Sequence, residues 1–162
     1  MAWYEKQKVL VPIDFSKKSF EALDVAGEFV KESSQLYLIY VVRPLRPTDL
    51  DMIWETLSEE QRIHLQGLRL GTGDTTAGKE SEKRIQVHAK ALRDHLDDKY
   101  DQVNVTVTFG DPGEEIAKHA DELGVDMIVM PSHGRRGVKH LLLGSVAERV
   151  LRYAHCPVLV LR

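Results

Sequence analysis

A loop near the carboxyl end of the chain has residue types suited to phosphate binding. Residues 130–137 read Met-Pro-Ser-His-Gly-Arg-Arg-Gly, and Gly144 and Ser145 follow where a helical pattern begins. Glycine lets the backbone approach a ligand and expose its N–H groups. The free N–H groups and positive dipole end of a helix start favour an anion, and Arg135 and Arg136 could add cationic donors. The residues alone leave a second interpretation open, a turn whose glycines serve only its geometry.

A carboxylate near the amino end is the second candidate for ligand contact. Asp14 follows an apolar run that ends at Pro12 and Ile13, and it precedes Ser16. An acidic residue just past a buried strand can accept hydrogen bonds from a sugar or a base. The alternative is that Asp14 only shares helix capping with Ser16.

Four nearly continuous apolar runs, at residues 9–13, 36–42, 127–130 and 158–161, predict buried strands. Strands covered on both faces have this composition and are usually parallel. A fifth run, residues 103–109, alternates and predicts a less buried strand. Amphipathic helical stripes separate the runs, and their apolar positions are Phe20, Leu23, Ala26 and Val30; Ile85, Ala89, Leu92 and Leu96; Ile116, Ala117, Ala120 and Leu123; and Val146, Val150 and Leu151.

This alternation of strands and helices predicts an α/β fold, a single doubly wound domain over residues 1–162 with one parallel sheet. Ser16 and Ser145 are predicted helix caps. Pro112 suits a first helical turn, and Gly124 suits a helix end. In such sheets ligands bind beyond the carboxyl ends of the strands, where the strand order reverses. Both candidates for ligand contact follow predicted strands, so they are expected at that edge.

The segment at about residues 44–82 is long for a connection and is predicted to be a mobile insertion. Its first part has helical spacing at residues 50–68, whereas residues 70–78 have no apolar periodicity. Residues 73–80 nearly match a P-loop. The pattern fails because Glu80 stands where a magnesium-binding hydroxyl is needed, and because no buried strand precedes it.

Composition narrows the class of protein. The chain has 162 residues, a net charge of −3 and one cysteine, Cys156. The charge argues against nucleic-acid binding, and no apolar run approaches the length of a membrane span. A single cysteine cannot form an internal disulfide, which fits a reducing compartment. We therefore expect a cytoplasmic protein with no nucleic-acid or membrane partner.

Neither a metal site nor a catalytic triad emerges from the remaining polar residues. His133, His140, His155 and Cys156 lack the spacing of metal ligands. Residues 130–145 are called the glycine loop below. Its serines have no acid–histidine relay. No catalytic residue and no protein metal ligand is predicted. His133 could contact phosphate or cap the turn, and the residues leave both roles open.

Several motifs together resemble the universal stress protein family, and in particular its ATP-binding branch. Ser132-His133-Gly134, nine residues and Gly144-Ser145 match the family's carboxyl-terminal signature, with Pro131 in place of its first glycine. Residues 9–16, 40–42, 110–116, 147–150 and 156–160 extend the similarity over most of the chain outside residues 44–82. The resemblance implies a five-stranded parallel sheet of order 3-2-1-4-5 with helices on both faces.

The resemblance also implies the ligand, which is ATP or another adenine nucleotide, with or without Mg²⁺. Pro12 and Asp14 would contact the adenosine, and Val41 the adenine. The phosphates and ribose would lie against the glycine loop. The full set of predicted nucleotide-binding residues is Pro12, Asp14, Val41, Met130, Ser132, His133, Gly134, Arg135, Arg136, Gly144, Ser145 and Val146.

The family suggests a homodimer, and the predicted edge strand at residues 158–161 could pair across a two-fold axis. Three functions stay open at this point. The first is a nucleotide-dependent dimeric regulator in stress response, whose protein partner is unknown. The second is a slow ATPase or phosphotransferase. The third is a dimeric interaction protein without nucleotide binding.

Overall fold

Five strands form one all-parallel sheet in the order β3-β2-β1-β4-β5. A computed structural model describes residues 6–43, 75–134 and 143–162 of the chain. By its internal contacts the chain divides into two units, Met1–Arg43 with His88–Arg162, and Pro44–Val87. The sheet belongs to the first unit. Its strands are β1 (Val9–Pro12), β2 (Leu36–Val42), β3 (Asn104–Phe109), β4 (Met127–Pro131) and β5 (Val158–Leu161).

Four α-helices connect the strands in the described residues, and two 3₁₀ turns lie at Ser33–Gln35 and Asp98–Tyr100. The helices are α1 (Lys17–Gly27), α2 (Thr75–Asp94), α3 (Pro112–Leu123) and α4 (Ser145–Tyr153). Side chains of α1 and α2 pack on one face of the sheet, and those of α3 and α4 pack on the other. The predicted doubly wound fold and its strand order are confirmed.

Strand β1 is buried along its whole length, which explains its unbroken apolar sequence. Successive side chains of a strand point to opposite faces. Val9, Val11 and Ile13 accordingly pack with α1 and α2, whereas Leu10 packs with α3 and α4. The same alternation directs Pro12 towards the α3 and α4 face, and Asp14 follows just beyond the end of β1.

Three of the predicted helix boundaries are confirmed. The Ser16 side chain caps α1 by accepting a hydrogen bond from the Ser19 N–H. Pro112 opens α3, and Gly124 ends it in the left-handed conformation, with φ at +59°. These local signals fix where α1 and α3 enter or leave the edges of the sheet.

Helix α2 overlaps the end of the predicted insertion, whose mobility stays a prediction. It begins at Thr75, inside the segment that the sequence treats as mobile. Residues 75–83 are mostly good helix formers, so the helix extends ahead of the apolar stripe that begins at Ile85. The helical spacing at residues 50–68 and the loop at residues 70–74 lie outside the described residues. Within the described part of the chain, no helix has the length and apolar character needed to cross a bilayer.

Candidate functional site

The sheet opens between β1 and β4 at its carboxyl edge. Four residues of β1 pair with β2, but only two pair with β4, Val9 with Met127 and Leu10 with Ile128. The strand order reverses at this same point, because β2 and β3 lie on one side of β1 and β4 and β5 lie on the other. A reversal point of this kind leaves a crevice between the departing chains, which is where open α/β sheets bind ligands.

Asp14 stands at the β1 side of this crevice. Its Oδ1 accepts hydrogen bonds from the Ser16 backbone N–H, at 3.0 Å, and from the Ser16 hydroxyl, at 2.5 Å. The second oxygen, Oδ2, is directed at Gly134. The two interpretations of Asp14 are therefore compatible, since one oxygen supports the cap of α1 while the other faces the loop after β4.

Gly134 lies against the Asp14 carboxylate. A Cβ built at residue 134 would lie 2.7 Å from Asp14 Oδ2, closer than real Cβ contacts. Residues 14 and 134 are distant in sequence, so this approach brings the first candidate and the glycine loop to one place. Asp14 and Gly134 are therefore neighbours in the structure, and their role in a nucleotide site stays a prediction.

Gly144 closes the other end of the loop. Its N–H donates to the Ser132 carbonyl oxygen at 2.7 Å. A Cβ at residue 144 would lie 3.0 Å from the same oxygen and 3.4 Å from His133 Cα. The start of α4 is thereby held against the end of β4, with its N–H groups at the carboxyl edge of the sheet.

The cap of α4 differs from the prediction. Gly144, not Ser145, is the N-cap residue, and it brings no side chain to the helix start. Ser145 is the first helical residue. The cause is steric, because the tight approach to Ser132 and His133 admits a glycine at the cap position. A helix start without a capping side chain keeps N–H groups for an anion.

Ser132 and His133 line the loop beside Gly144. Ser132 is buried, its N–H donates to the Leu161 carbonyl at 2.6 Å, and its hydroxyl lies 3.1 Å from His133 Nδ1. His133 Nε2 is also buried and has no hydrogen-bond partner in the part of the chain that the structure describes. A buried polar atom of this kind calls for a partner, and a ligand group could supply one.

Apolar residues form the remaining wall. Val41 at the end of β2, Met130 at the end of β4 and Val146 in the first turn of α4 belong to the same cluster on the α3 and α4 face. Pro12 is buried at the end of β1 beside Ile39. The structure thus places ten of the twelve predicted site residues at one edge and one face of the sheet. The other two, Arg135 and Arg136, lie outside the described residues.

The family model for universal stress proteins matches residues 6–162. This chain belongs to the universal stress protein family. It is 32% identical over 159 residues to universal stress protein MJ0531 of Methanocaldococcus jannaschii, covering 96% of this chain and 82% of that protein. It is 31% identical to universal stress protein YxiE of Bacillus subtilis, covering 96% and 98%. The solved structure of M. jannaschii MJ0577 superposes with a TM-score of 0.58 at 28% identity, covering 99% and 96%.

Pro131 is compatible with the strand that carries it in this universal stress protein. The N–H groups of Ile128 and Ser132 donate to β5. Because N–H groups alternate between the two sides of a strand, the backbone nitrogen of residue 131 is directed towards β1. The pairing of β1 with β4 has already ended at Ile128. Proline at this position therefore leaves the β4–β5 ladder intact and removes one donor from the crevice.

Helices α3 and α4 meet beside the crevice through a contact that sequence reasoning missed. Arg149 pairs with Asp111 at 2.5 Å, and a Cβ at Gly113 would collide with the Arg149 side chain. Partial burial opposes ionisation of Asp111, but Arg149 and the N–H groups of Glu114 and Gly113 outweigh it and lower the pKa of Asp111. The pair joins the start of α3 to the middle of α4, and no periodic signal in the sequence connects these residues.

The structure does not bring His155 or the Cys156 thiol to the site. Cys156 precedes β5 and so lies at the amino edge of the sheet, where burial raises the pKa of its thiol. His155 lies 3.3 Å from Asp121 on α3. Among the described residues, no group of three histidine, cysteine, aspartate or glutamate side chains is placed to hold a metal ion.

Proposed function

We propose that this universal stress protein binds ATP or another adenine nucleotide in the crevice between β1 and β4. The observation that carries the proposal is that two glycines of the glycine loop each lie in close contact with other residues of the site. Gly134 lies against Asp14, and Gly144 lies against Ser132 and His133. At both positions a Cβ would crowd neighbouring atoms of the site, and both glycines lie where the strand order reverses.

The site offers a different chemistry to each part of a nucleotide. The first-turn N–H groups of α4 suit the phosphates, and His133 Nε2 is a buried polar atom beside them. Asp14 Oδ2 can accept from a ribose hydroxyl. Val41 and Met130 provide an apolar surface for the base. Arg135 and Arg136 would add charge to the phosphate end, and Mg²⁺ would arrive with the nucleotide.

The proposed role of the nucleotide is regulatory, in a dimeric protein of the stress response. We expect binding without rapid turnover, and hydrolysis is the alternative outcome. Measurement of phosphate release during nucleotide titration distinguishes the two. A protein that binds no nucleotide would instead fit the interaction-protein alternative.

Asp14→Ala is expected to weaken ATP binding by about 1–3 kcal/mol, the range for losing one or two hydrogen bonds to a charged group. The measurement is calorimetric titration of nucleotide-free protein with ATP. Asp24→Ala is a matched control, because Asp24 is a carboxylate that contacts Lys99 and Tyr100 instead of the crevice. Equal affinity in wild type and Asp14→Ala, or equal losses in both variants, would count against the proposed site.

We further propose that β5 forms the dimer interface. It is an edge strand, and all four of its residues are only half-buried. Pro157 and Leu161 accept hydrogen bonds from β4. By alternation, the N–H groups of Val158 and Val160 point away from β4, towards the open edge. An exposed edge of this kind can pair with the same strand of a second copy.

Val160→Pro is therefore expected to lower the dimer fraction, because proline removes an outward-pointing N–H without taking a hydrogen bond from the β4–β5 ladder. Light scattering after size-exclusion chromatography measures this. Val160→Thr is the control, since it keeps the N–H and the branched shape. A monomeric wild type at micromolar concentration, or an unchanged dimer in Val160→Pro, would contradict the proposed interface.

A further inference from the structure

Phe15 has an unusual backbone conformation directly beside the crevice. Its φ is +63°, and among the described residues it is the one non-glycine residue with a positive φ. The left-handed region is disfavoured for a bulky side chain because the Cβ crowds the backbone. Such a residue persists when its surroundings hold it there, and strained residues of this kind concentrate at functional sites.

An aromatic cluster holds the Phe15 side chain. The ring lies edge-on to Tyr40 of β2, with centroids 5.0 Å apart, and to His95, 5.4 Å away, just after α2. It also contacts Phe20 of α1 with a centroid distance of 6.5 Å. These rings belong to the face of the sheet that α1 and α2 cover. Phe15 is therefore anchored on the face opposite to the nucleotide crevice.

Asp14 and Ser16, the two neighbours of Phe15, form the part of this turn that faces the crevice. Asp14 and Ser16 are joined by the Ser16 N–H and the Ser16 hydroxyl, both donating to Asp14 Oδ1. Asp14 Oδ2 faces Gly134. The left-handed backbone conformation of Phe15 thus lets its ring pack on the α1 and α2 face while the Asp14 carboxylate is directed at Gly134.

We propose that Phe15 is a positioning residue of the nucleotide site, which fixes the Asp14 carboxylate through its anchored ring. The inference rests on the proposed function, because it concerns the same site. It assigns a role to a residue that does not face the crevice. It also implies that the aromatic cluster, which includes His95 just after α2, affects the affinity for the nucleotide.

The test is a double-mutant cycle with ATP affinity as its readout. Phe15→Gly removes the ring and also relieves the strain at positive φ. We expect it to weaken ATP binding about tenfold, and we expect Asp14→Ala to add less than about threefold in that background, since coupled positions are not additive. Each variant is titrated by calorimetry at a temperature where its thermal melt shows it folded.

Phe20→Leu is the matched control. Phe20 contacts the same rings, Phe15 and His95, and its bond to the turn is a backbone N–H donated to the Ser16 carbonyl oxygen, which leucine keeps. We expect a lower melting temperature and an ATP affinity within about twofold of wild type, because the Phe15 ring keeps its contacts with Tyr40 and His95. The melting temperature reports the loss of packing, and the ATP affinity reports the loss of positioning of the Asp14 carboxylate.

Three results would overturn the inference while leaving nucleotide binding in place. They are additive losses in Phe15→Gly and Asp14→Ala, wild-type affinity in Phe15→Gly, and an equal loss of affinity in Phe20→Leu. If the wild-type protein binds no adenine nucleotide, the proposed function fails and the inference fails with it. Non-additive losses together with an unaffected Phe20→Leu variant would support it.

Discussion

Gly144→Val is expected to abolish measurable ATP binding while the sheet and its helices still form. Valine tolerates the observed backbone conformation of residue 144, φ −77° and ψ 156°. Its Cβ would lie 3.0 Å from the Ser132 carbonyl oxygen, so the turn must shift by a few tenths of an ångström. The added methyl groups would then occupy the space beside the first N–H groups of α4. Losing two charge-assisted hydrogen bonds to phosphate corresponds to about 3–6 kcal/mol.

The test compares Gly144→Val with Leu143→Ala by calorimetry and circular dichroism. Leu143 is the neighbouring residue, and it is 37% exposed, so its truncation leaves the turn geometry unchanged. We expect near wild-type spectra for both variants and binding only in Leu143→Ala. Wild-type affinity in Gly144→Val would show that the nucleotide does not lie at this helix start.

Gly113→Ala is expected to destabilise the protein, although replacing glycine by alanine within a helix normally stabilises it. Gly113 lies in the first turn of α3, where alanine normally adds up to about 1 kcal/mol to stability. Here the added Cβ would overlap the Arg149 side chain. Overpacking of this kind costs about 1–3 kcal/mol. The close approach of α3 and α4 therefore reverses the sign of the usual effect.

Chemical denaturation measures this change, with Gly124→Ala as the comparison. Gly124 has open space around its Cβ position but a φ of +59°, so its loss of stability comes from backbone strain alone and is about 1 kcal/mol. A Gly113→Ala variant more stable than wild type would mean that Arg149 moves aside, and that its pairing with Asp111 does not hold the two helices together.

The strands could be predicted because the burial of each strand determines the pattern of apolar residues in its sequence. Strand β1 is covered on both faces, so its residues are continuously apolar, and β3 at the edge alternates because one of its faces is more exposed. Ser16, Pro112 and Gly124 mark helix ends through local chemistry that needs no tertiary contact. The order of the strands followed from the family resemblance, since periodicity alone does not determine which strands are neighbours.

The features that the sequence did not predict depend on tertiary contacts. Ser145 has the chemistry of a cap, but the approach of Gly144 to Ser132 moves the cap by one residue. Phe15 adopts a positive φ because distant rings hold it. The space at Gly113 is limited by Arg149, on another helix. In each case a contact between segments far apart in sequence overrides the local preference.

Amide chemical shifts measured during ATP titration report residue by residue whether an adenine nucleotide binds at the β1–β4 crevice. A chain of 18.4 kDa is suited to this measurement. We expect saturable shifts at Phe15, Gly134, Gly144 and Ser145, with smaller changes elsewhere. Absence of shifts at saturating ATP, or shifts confined to the shallow cleft lined by Lys118, Asp121 and Tyr153, would contradict binding at this crevice.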